Sequence, residues 1–588
     1  MKKTHLVLAA IAALCACHTN KLSISPGSAA PLTGGSTVQF SASGVGGKPV
    51  TWSIDGAGSA AGTISSSGLY TSPMQVPYPA TITVRAKAAG VSATAPVVVT
   101  SPVEDWPKYR RDLANTGRSS ETGINAQTAA HLALKWSFKT PGGKVSASPA
   151  VAAVNGTPML FVGAWNGTFY GLNAESGAMV WQFQTDAAPT IGACALSPVD
   201  CMRIASSAAV ANGNVYFGAG NGFVYCLNAA TGTLVWKFQL GNATQGAEVW
   251  TSPAVAAGKV YFGTGSHADE PCWPGQIFAF DAATGAVGGV PGPSWTFDVL
   301  QGCPAGMSCV GGGVWSSPAL DVSFAGAGVN PILYVATGNP GNGCVPASSG
   351  TPSTAYTDTV LALDAANGTL LNFYQAYAND PNDAFDFGAA IVLHSTAQCA
   401  GTGPSDWLTA ANKGGSVFTL GRDKNGLVNG AVSRTELNPL GTGSVYAGEI
   451  IGTPVVVPNA NACNSIYVPS EYGYLFELNQ ASDGAVAGVS DATWPLGIDT
   501  VKGCTPPAPG DPGSCPMYSA PTSIADVLAF GGGDGDFYVF SASGAKLFDF
   551  ATPGLVASGP AVSNGRLYFG SFGDSQAGDV YCLSVDGK

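Results

Sequence analysis

From Leu134 onward, apolar and polar positions alternate with a period of two in short runs, and the runs recur in a fixed order. VSASPAV at Val145 is followed by MLFVGAWNG, TFYGLNAESG and MVWQFQT; IASSAAV at Ile204 is followed by VYFGAGNG, FVYCLNAATG and LVWKFQL. Further copies of the first run begin at Val249 (VWTSPAV), Val314 (VWSSPAL), Asp386 (DFGAAIV), Ile450 (IIGTPVV), Tyr518 (YSAPTSI) and Val556 (VASGPAV), making eight. Asn-Gly between alternating runs marks tight hairpins, whose turn requires positive φ. A unit of four short strands cannot bury both its faces alone, so the repeats predict blades stacked around an axis. The expectation is an all-β chain with an eight-bladed β-propeller over residues 134–588. LKWSFKT at 134–140 precedes the first inner strand and is expected to supply the outer strand of the last blade, closing the ring without a free edge.

The N-terminal part reads differently. Residues 21–101 alternate β-branched runs (VTWSI, TITVRA, APVVVT) with Gly and Ser clusters, a β-sandwich pattern, and GTISSSGLYTSP resembles the bacterial Ig-like family. No nucleophile, metal cluster or acid pair assembles there, which leaves a spacer or adhesive module. Residues 102–133, with DWPKYRRDLANTG, form a polar linker and propeller lead-in. MKKTHLVLAAIAALCAC combines two lysines, an apolar run and small residues, which fits an export signal over residues 1–16. It also resembles a bacterial lipobox with Cys17 as the lipidated residue; an ordinary signal peptide with an incidental cysteine reads the same stretch. The expected location is therefore the cell envelope, lipid-anchored to the outer or inner membrane and facing the periplasm or the cell surface.

Composition narrows these expectations. Only 10% of residues are charged against 79 Gly and 40 Pro, which favours short strands and turns over solvated helices. A net charge of −12 argues against a basic groove for nucleic acid. No apolar run after residue 16 is long enough to span a bilayer. Twelve cysteines follow Cys17, an even number that in an exported chain points to disulfides. Cys194 with Cys201, Cys303 with Cys309 and Cys504 with Cys515 are near enough to bridge within loops; Cys272, Cys344, Cys399 and Cys463 also lie in insertions. Cys226 and Cys582 share one repeat position, VYCL, and suit small buried residues. Cys15-Ala16-Cys17-His18 has one residue too few between its cysteines for c-type haem.

The chemistry concentrates between Val314 and Ile391. Trp315, Asn339 and Asp386 all fall where strands meet the channel mouth, although a gap-filling indole, a turn before Pro340 and a loop cap would use the same residues. The repeats resemble the PQQ-type propeller repeat, and from about Asp105 to the C-terminus the chain resembles the PQQ-dependent quinoprotein alcohol dehydrogenase family. That family carries a floor tryptophan in W-x-x-x-A-x-D, matched by Trp315, Ala319 and Asp321. Its calcium-binding asparagine in T-G-N-P corresponds to Asn339. Its calcium-binding glutamate, eleven residues before the Asp of G-x-x-x-A-x-D, corresponds to Glu270 ahead of Asp281. The proton-abstracting aspartate of W-D-Y-A or W-D-Y-D corresponds to Asp386 in Phe385-Asp386-Phe387-Gly388, and Asp383 fits that motif less well. Lys413 in NKGGSVFTL matches a lysine on the quinone oxygens, and Arg203, just after Cys201, matches a cofactor-binding arginine.

The resemblance implies an exported dehydrogenase that oxidises an alcohol with PQQ and calcium and passes electrons to a separate acceptor such as a cytochrome c. Asp386 would be the base; Trp315, Lys413 and Arg203 would bind the cofactor; Glu270, Asn339 and Asp386 would hold the metal. The chain departs from the pattern in lacking a vicinal Cys-Cys, in Pro274 where an arginine is usual, and in Gly388 where lanthanide-dependent members carry a second acid. GAA and NKGG look closer to the polyvinyl-alcohol dehydrogenase-like branch. Glu270 as a solvated acid, and Lys413 and Arg203 paired with loop carboxylates, remain the ordinary alternatives. On those, the chain is a non-catalytic PQQ-repeat propeller lipoprotein acting as an envelope scaffold or binding module.

Overall fold

The computed structural model describes residues 21–588 apart from 45, 56–57, 188–202, 241–246, 267–272, 302–310, 327, 341–355, 378–384, 400–403, 438–448, 489–495, 498–515 and 575–576. The chain divides into two compact units, Met1–Ser101 and Pro102–Lys588. In the first, three small antiparallel sheets enclose a core of Phe40, Tyr70, Ile82, Val84, Ala95 and Val97. Their longest hairpin, Thr81–Ala88 with Val91–Val98, alternates buried and more exposed positions, as a strand with one packed face must.

Among the described residues the second unit contains eight sheets of four or five strands, antiparallel except that Arg118–Ser119 joins the seventh blade parallel to Thr522–Ile524. The first blade shows the rule: Ala150–Val154, Thr157–Gly163, Thr168–Asn173 and Met179–Gln184 pair in chain order. The inner three strands are apolar on both faces because each blade is covered by two neighbours, while the outer strand buries only alternate residues. Leu132–Pro141 pairs antiparallel with Ala577–Val585, so the start of the unit supplies the outer strand of the eighth blade, as its sequence predicts.

Successive blades lock through repeated contacts. Outer-strand Trp136, Trp181, Trp236 and Trp295 each donate Nε1–H to a carbonyl of the next blade, of Ala174, Ala229, Ala282 and Ala365, at 3.0–3.1 Å. The facing turn is glycine for two reasons: Gly232, for example, has φ +70°, and a Cβ there would lie 2.5 Å from the Trp181 ring. At the axis, Ser148 N donates to Ser207 Oγ (2.8 Å), Ser207 N to Ser252 Oγ (3.0 Å), Ser252 N to Ser317 Oγ (3.0 Å), Ala390 N to Thr453 Oγ1 (2.9 Å) and Gly559 N to Ser148 Oγ (2.9 Å). This hydroxyl ring lacks an acceptor at Ala390 and Ala520, which have none to offer, and at Gly559.

The stretch 102–133, polar in sequence, is woven into this axis. Trp106 exchanges backbone hydrogen bonds with Val151 of the first blade, and carbonyls of Pro107, Leu113, Ala114 and Gly117 accept from Val210, Leu320, Leu393 and Ser523 of four others. Two of its side chains reach the ring where hydroxyls are missing. Asn115 Nδ2 lies 3.4, 3.1 and 3.0 Å from the carbonyls of Ser317, Pro318 and Ile391, tying the fourth blade to the fifth. Arg110 donates to the carbonyls of Pro454 and Pro521, tying the sixth to the seventh. Arg110, Arg111 and Asn115 all have left-handed backbones (φ +60°, +73°, +55°), a local cost tolerated because these tertiary bonds hold the segment.

Candidate active site

The first runs of the eight repeats converge on the axis, and two residues from each, the second and fourth in six runs, Gly388 and Ala390 in the fifth and Tyr518 and Ala520 in the seventh, line one cavity of about 430 Å³. Its floor includes Tyr109 of the woven segment, whose hydroxyl is 2.9 Å from Thr453 Oγ1. Its wall carries Trp165, Trp250, Trp315, Tyr518 and Phe572 from different blades.

At the edge between the fourth and fifth blades, three of the residues picked out from sequence are in mutual contact. Trp315 Nε1 donates to Asp386 Oδ2 at 3.1 Å, Lys413 Nζ lies 3.2 Å from Asp386 Oδ1, and the same ammonium stands 5.2 Å from the Trp315 ring centroid. The local sequence builds this. Lys413 sits in the turn between Asp406–Ala411 and Ser416–Asp423, and its backbone N donates to Asp386 O at 3.0 Å. Asn412 Nδ2 reaches the Phe385 carbonyl at 3.1 Å, and Gly414 leaves room for the Phe385 ring, which a Cβ would approach to 2.4 Å. The Asp386 carboxylate thus takes a hydrogen bond from one blade and an ion pair from another while only 2% of the residue is exposed.

Asn339 belongs to the same edge. Thr337 O accepts from Phe387 N (3.3 Å), and a Cβ on Gly338 would stand 3.6 Å from Trp315 Nε1, so the Thr337-Gly338-Asn339 segment runs beside both indole and aspartate. The Asn339 backbone carbonyl accepts from Gly312 N at 2.8 Å. Arg203 lies on the wall of the same cavity, its guanidinium 4.3 Å from the Trp250 ring and 5.2 Å from that of Trp165, with Glu248 Oε2 3.6 Å away. Glu270, Asp383 and Cys17 lie outside the described residues, as do Cys194, Cys201, Cys272, Cys303, Cys309, Cys344, Cys504 and Cys515. Cys399 and Cys463 form a disulfide joining the fifth and sixth blades, and Cys226 and Cys582 are buried free thiols whose pKa burial pushes up to about 12.

Several participants were not singled out from sequence. Trp250 occupies the Trp315 position of the preceding repeat, a coincidence visible in VWTSPAV beside VWSSPAL. Glu449 and Glu471 are joined by a backbone bond, and Tyr518 OH donates to Glu471 at 3.0 Å. Burial pushes the Glu449 carboxyl up to about 7, with Lys413 opposing the shift and Glu471 and Asp386 adding to it. Lys144 stands 5.4 and 5.2 Å from the Trp165 and Phe572 rings. Lys144 and Glu449 each immediately precede the first run of a repeat, the position that Arg203 takes before Ile204, and that shared position is the signal that could have found them.

The donor set fits a flat polyanion: the Trp315 indole and the Arg203 guanidinium line one cavity within the roughly 300–1,000 Å³ range of small-molecule sites, and the Lys413 ammonium stands 5.2 Å from that indole. The Asp386 carboxylate and Asn339 amide oxygen are hard donors of the kind calcium takes. Among the described residues, no group of three His, Cys, Asp or Glu side chains is placed to hold a metal.

Comparison with known proteins bears on the family and the fold. Residues 106–428 match the family described as "Glucose/ethanol/alcohol dehydrogenase, beta-propeller domain". The chain is 26% identical over 342 residues to a quinoprotein ethanol dehydrogenase of Pseudomonas putida, covering 50% of this chain and 52% of that one. It is 23% identical over 575 residues to a polyvinylalcohol dehydrogenase of a Pseudomonas species, covering 84% of this chain and 79% of that protein. The chain spans about half the length of the quinoprotein ethanol dehydrogenases it matches. In fold it is similar to the crystal structure of quinohemoprotein alcohol dehydrogenase from Comamonas testosteroni, with a TM-score of 0.58 and 20% identity over 82% of this chain and 81% of that one. With more than half of its length matched by the family's propeller domain, the chain belongs to the PQQ-dependent glucose, ethanol and alcohol dehydrogenase family of β-propellers.

Proposed function

We propose that this protein is an exported quinoprotein dehydrogenase that oxidises an alcohol with PQQ and calcium and passes the electrons to a separate acceptor such as a cytochrome c. The observation that carries the reading is the three-way contact of Trp315, Asp386 and Lys413, in which Trp315 also lines the axial cavity. When bound, PQQ supplies a two-electron quinone acceptor and calcium a Lewis acid. Trp315 gives the ring system a stacking face, while Lys413 and Arg203 hold its anionic groups. Asn339 and Asp386, together with Glu270, would hold the metal. Asp386 accepts the proton of the alcohol hydroxyl, and Lys413, 3.2 Å from Oδ1, favours the ionised carboxylate needed for that step. Tyr109 of the woven segment lines the same cavity, its hydroxyl 2.9 Å from Thr453 Oγ1.

The site chemistry alone does not choose the alcohol; the polyvinylalcohol dehydrogenase likeness, which covers most of the chain, puts polymeric and secondary alcohols among those to test first. Export with a lipid anchor at Cys17, and an Ig-like N-terminal module acting as a spacer from the membrane, complete the proposal. The test is to load purified apoprotein with PQQ and calcium and follow dye reduction with primary, secondary and polymeric alcohols. Retention of PQQ with alcohol-dependent dye reduction is the expected result. Neither retention nor reduction would favour a cofactor-free propeller that scaffolds or binds other envelope molecules.

A further inference from the structure

Asp386 and Gly388 are two residues apart where the chain enters the inner strand of the fifth blade, and the same indole meets both. From the fourth blade, the Trp315 Nε1–H reaches Asp386 Oδ2 at 3.1 Å. The benzo edge of the ring rests on Gly388: a Cβ there would lie 2.4 Å from Cη2, 3.0 Å from Cζ2 and 3.1 Å from Cζ3. A side chain at 388 would therefore force the ring to tilt. Gly388 is not among the glycines with positive φ, so backbone freedom is not what this position requires. What the site uses is the missing side chain. The motifs W-D-Y-A and W-D-Y-D place a Cβ at this position; this chain does not, and its indole lies in the space that Cβ would fill.

We infer that Trp315 is a positioning residue for Asp386, seated by the empty space at Gly388, so that one ring both presents a stacking face and orients the carboxylate beside it. The inference rests on the reading of Asp386 as the base. Lys413 pairs with Oδ1 and Trp315 donates to Oδ2, so a charge on one blade and a hydrogen bond from another both bear on the orientation of the carboxylate. Removing the indole bond takes away the directional one of these two contacts. A charge-assisted bond of this kind is stronger than a neutral one, so its loss is expected to cost roughly tenfold or more in kcat. PQQ retention depends on the ring face and the cations, and is expected to change by less than about threefold.

Two measurements test this. In the ¹⁵N-labelled apoprotein, the Trp315 indole N–H resonance is assigned by its loss in Trp315→Phe. It should move in both Asp386→Ala and Gly388→Ala while thermal unfolding still reports a folded propeller. In the PQQ- and calcium-loaded enzyme, Trp315→Phe and Gly388→Ala should each lower kcat with little change in KM, and the double variant should be no slower than Trp315→Phe alone, because both act through one bond. An indole resonance indifferent to Asp386→Ala, or additive losses in the double variant, would overturn the inference. Should the wild type reduce no dye at all, the functional reading fails, and the indole spectrum still decides whether Gly388 seats Trp315 against Asp386. If Gly388→Ala does not fold, Gly388→Ser and the Asp386→Ala spectrum carry the same comparison.

Discussion

At the scale of single residues, the site separates chemistry from retention. Asp386→Asn removes the proposed proton acceptor but leaves the indole and both cations in place, so PQQ should remain bound while turnover falls by roughly 10²–10⁴-fold in single-turnover kinetics. Glu270→Gln should instead raise the calcium concentration needed for half-maximal loading, since a charged ligand becomes neutral. Glu449 adds a pH dependence. Its folded-state pKa is raised from 4.5 to about 7, chiefly by burial, so the folded protein keeps a proton that the unfolded chain has released. That contribution is fully present below about pH 4.5 and is lost as pH rises through about 7. The melting temperature of wild type should therefore drop more between pH 5 and pH 8 than that of Glu449→Gln, as calorimetry at the two pH values would show. Equal slopes would mean that Glu449 is ionised in the fold throughout.

At the scale of elements, the segment around Tyr109 is the least expected part. Its Trp106, Lys108, Arg110 and Asn115 are 1%, 5%, 3% and 0% exposed, although the stretch reads as a polar connection. Polarity there serves the carbonyls that the blades leave at the axis. Asn115→Ala would strand the carbonyls of Ser317, Pro318 and Ile391 at a buried seam, and Arg110→Ala those of Pro454 and Pro521. Each change should destabilise the propeller by about 2–4 kcal/mol, read from chemical denaturation, with Arg110→Lys recovering only part because an ammonium cannot span two carbonyls as a planar fork does. The blades themselves were legible. Alternation, Asn-Gly turns and the recurring tryptophan are local signals, and local pairing satisfies them.

For the whole molecule, ring closure decides stability. The eighth blade joins Leu132–Pro141 to Ala577–Val585, so neither end of the unit can detach without opening a blade. The Cys399–Cys463 disulfide ties the fifth blade to the sixth across 64 residues of sequence, at the seam that Ala390 N and Thr453 Oγ1 also bridge. Replacing both cysteines with alanine should cost about 2–4 kcal/mol, chiefly by freeing the unfolded chain, and should lower the melting temperature under oxidising but not reducing conditions. The same ring supplies the site, whose walls come from all eight blades.

Repeat number, strand order, the closing strand and the candidate residues Trp315, Asn339, Asp386 and Lys413 could be picked out from sequence, because each depends on a periodic or motif-length pattern that the chain carries locally. The disulfide partners could not: Cys399 and Cys463 are close only after two blades have packed. Nor could the buried role of the polar segment, since the carbonyls that Arg110 and Asn115 satisfy are drawn from residues hundreds of positions away. The hold of Trp315 on Asp386 is of the same kind. The two residues stand 71 positions apart and meet on neighbouring blades, where a glycine's missing side chain leaves room for the ring. Periodicity is a property of the chain, whereas the contacts that aim a carboxylate or close a seam exist only between elements brought together by the fold.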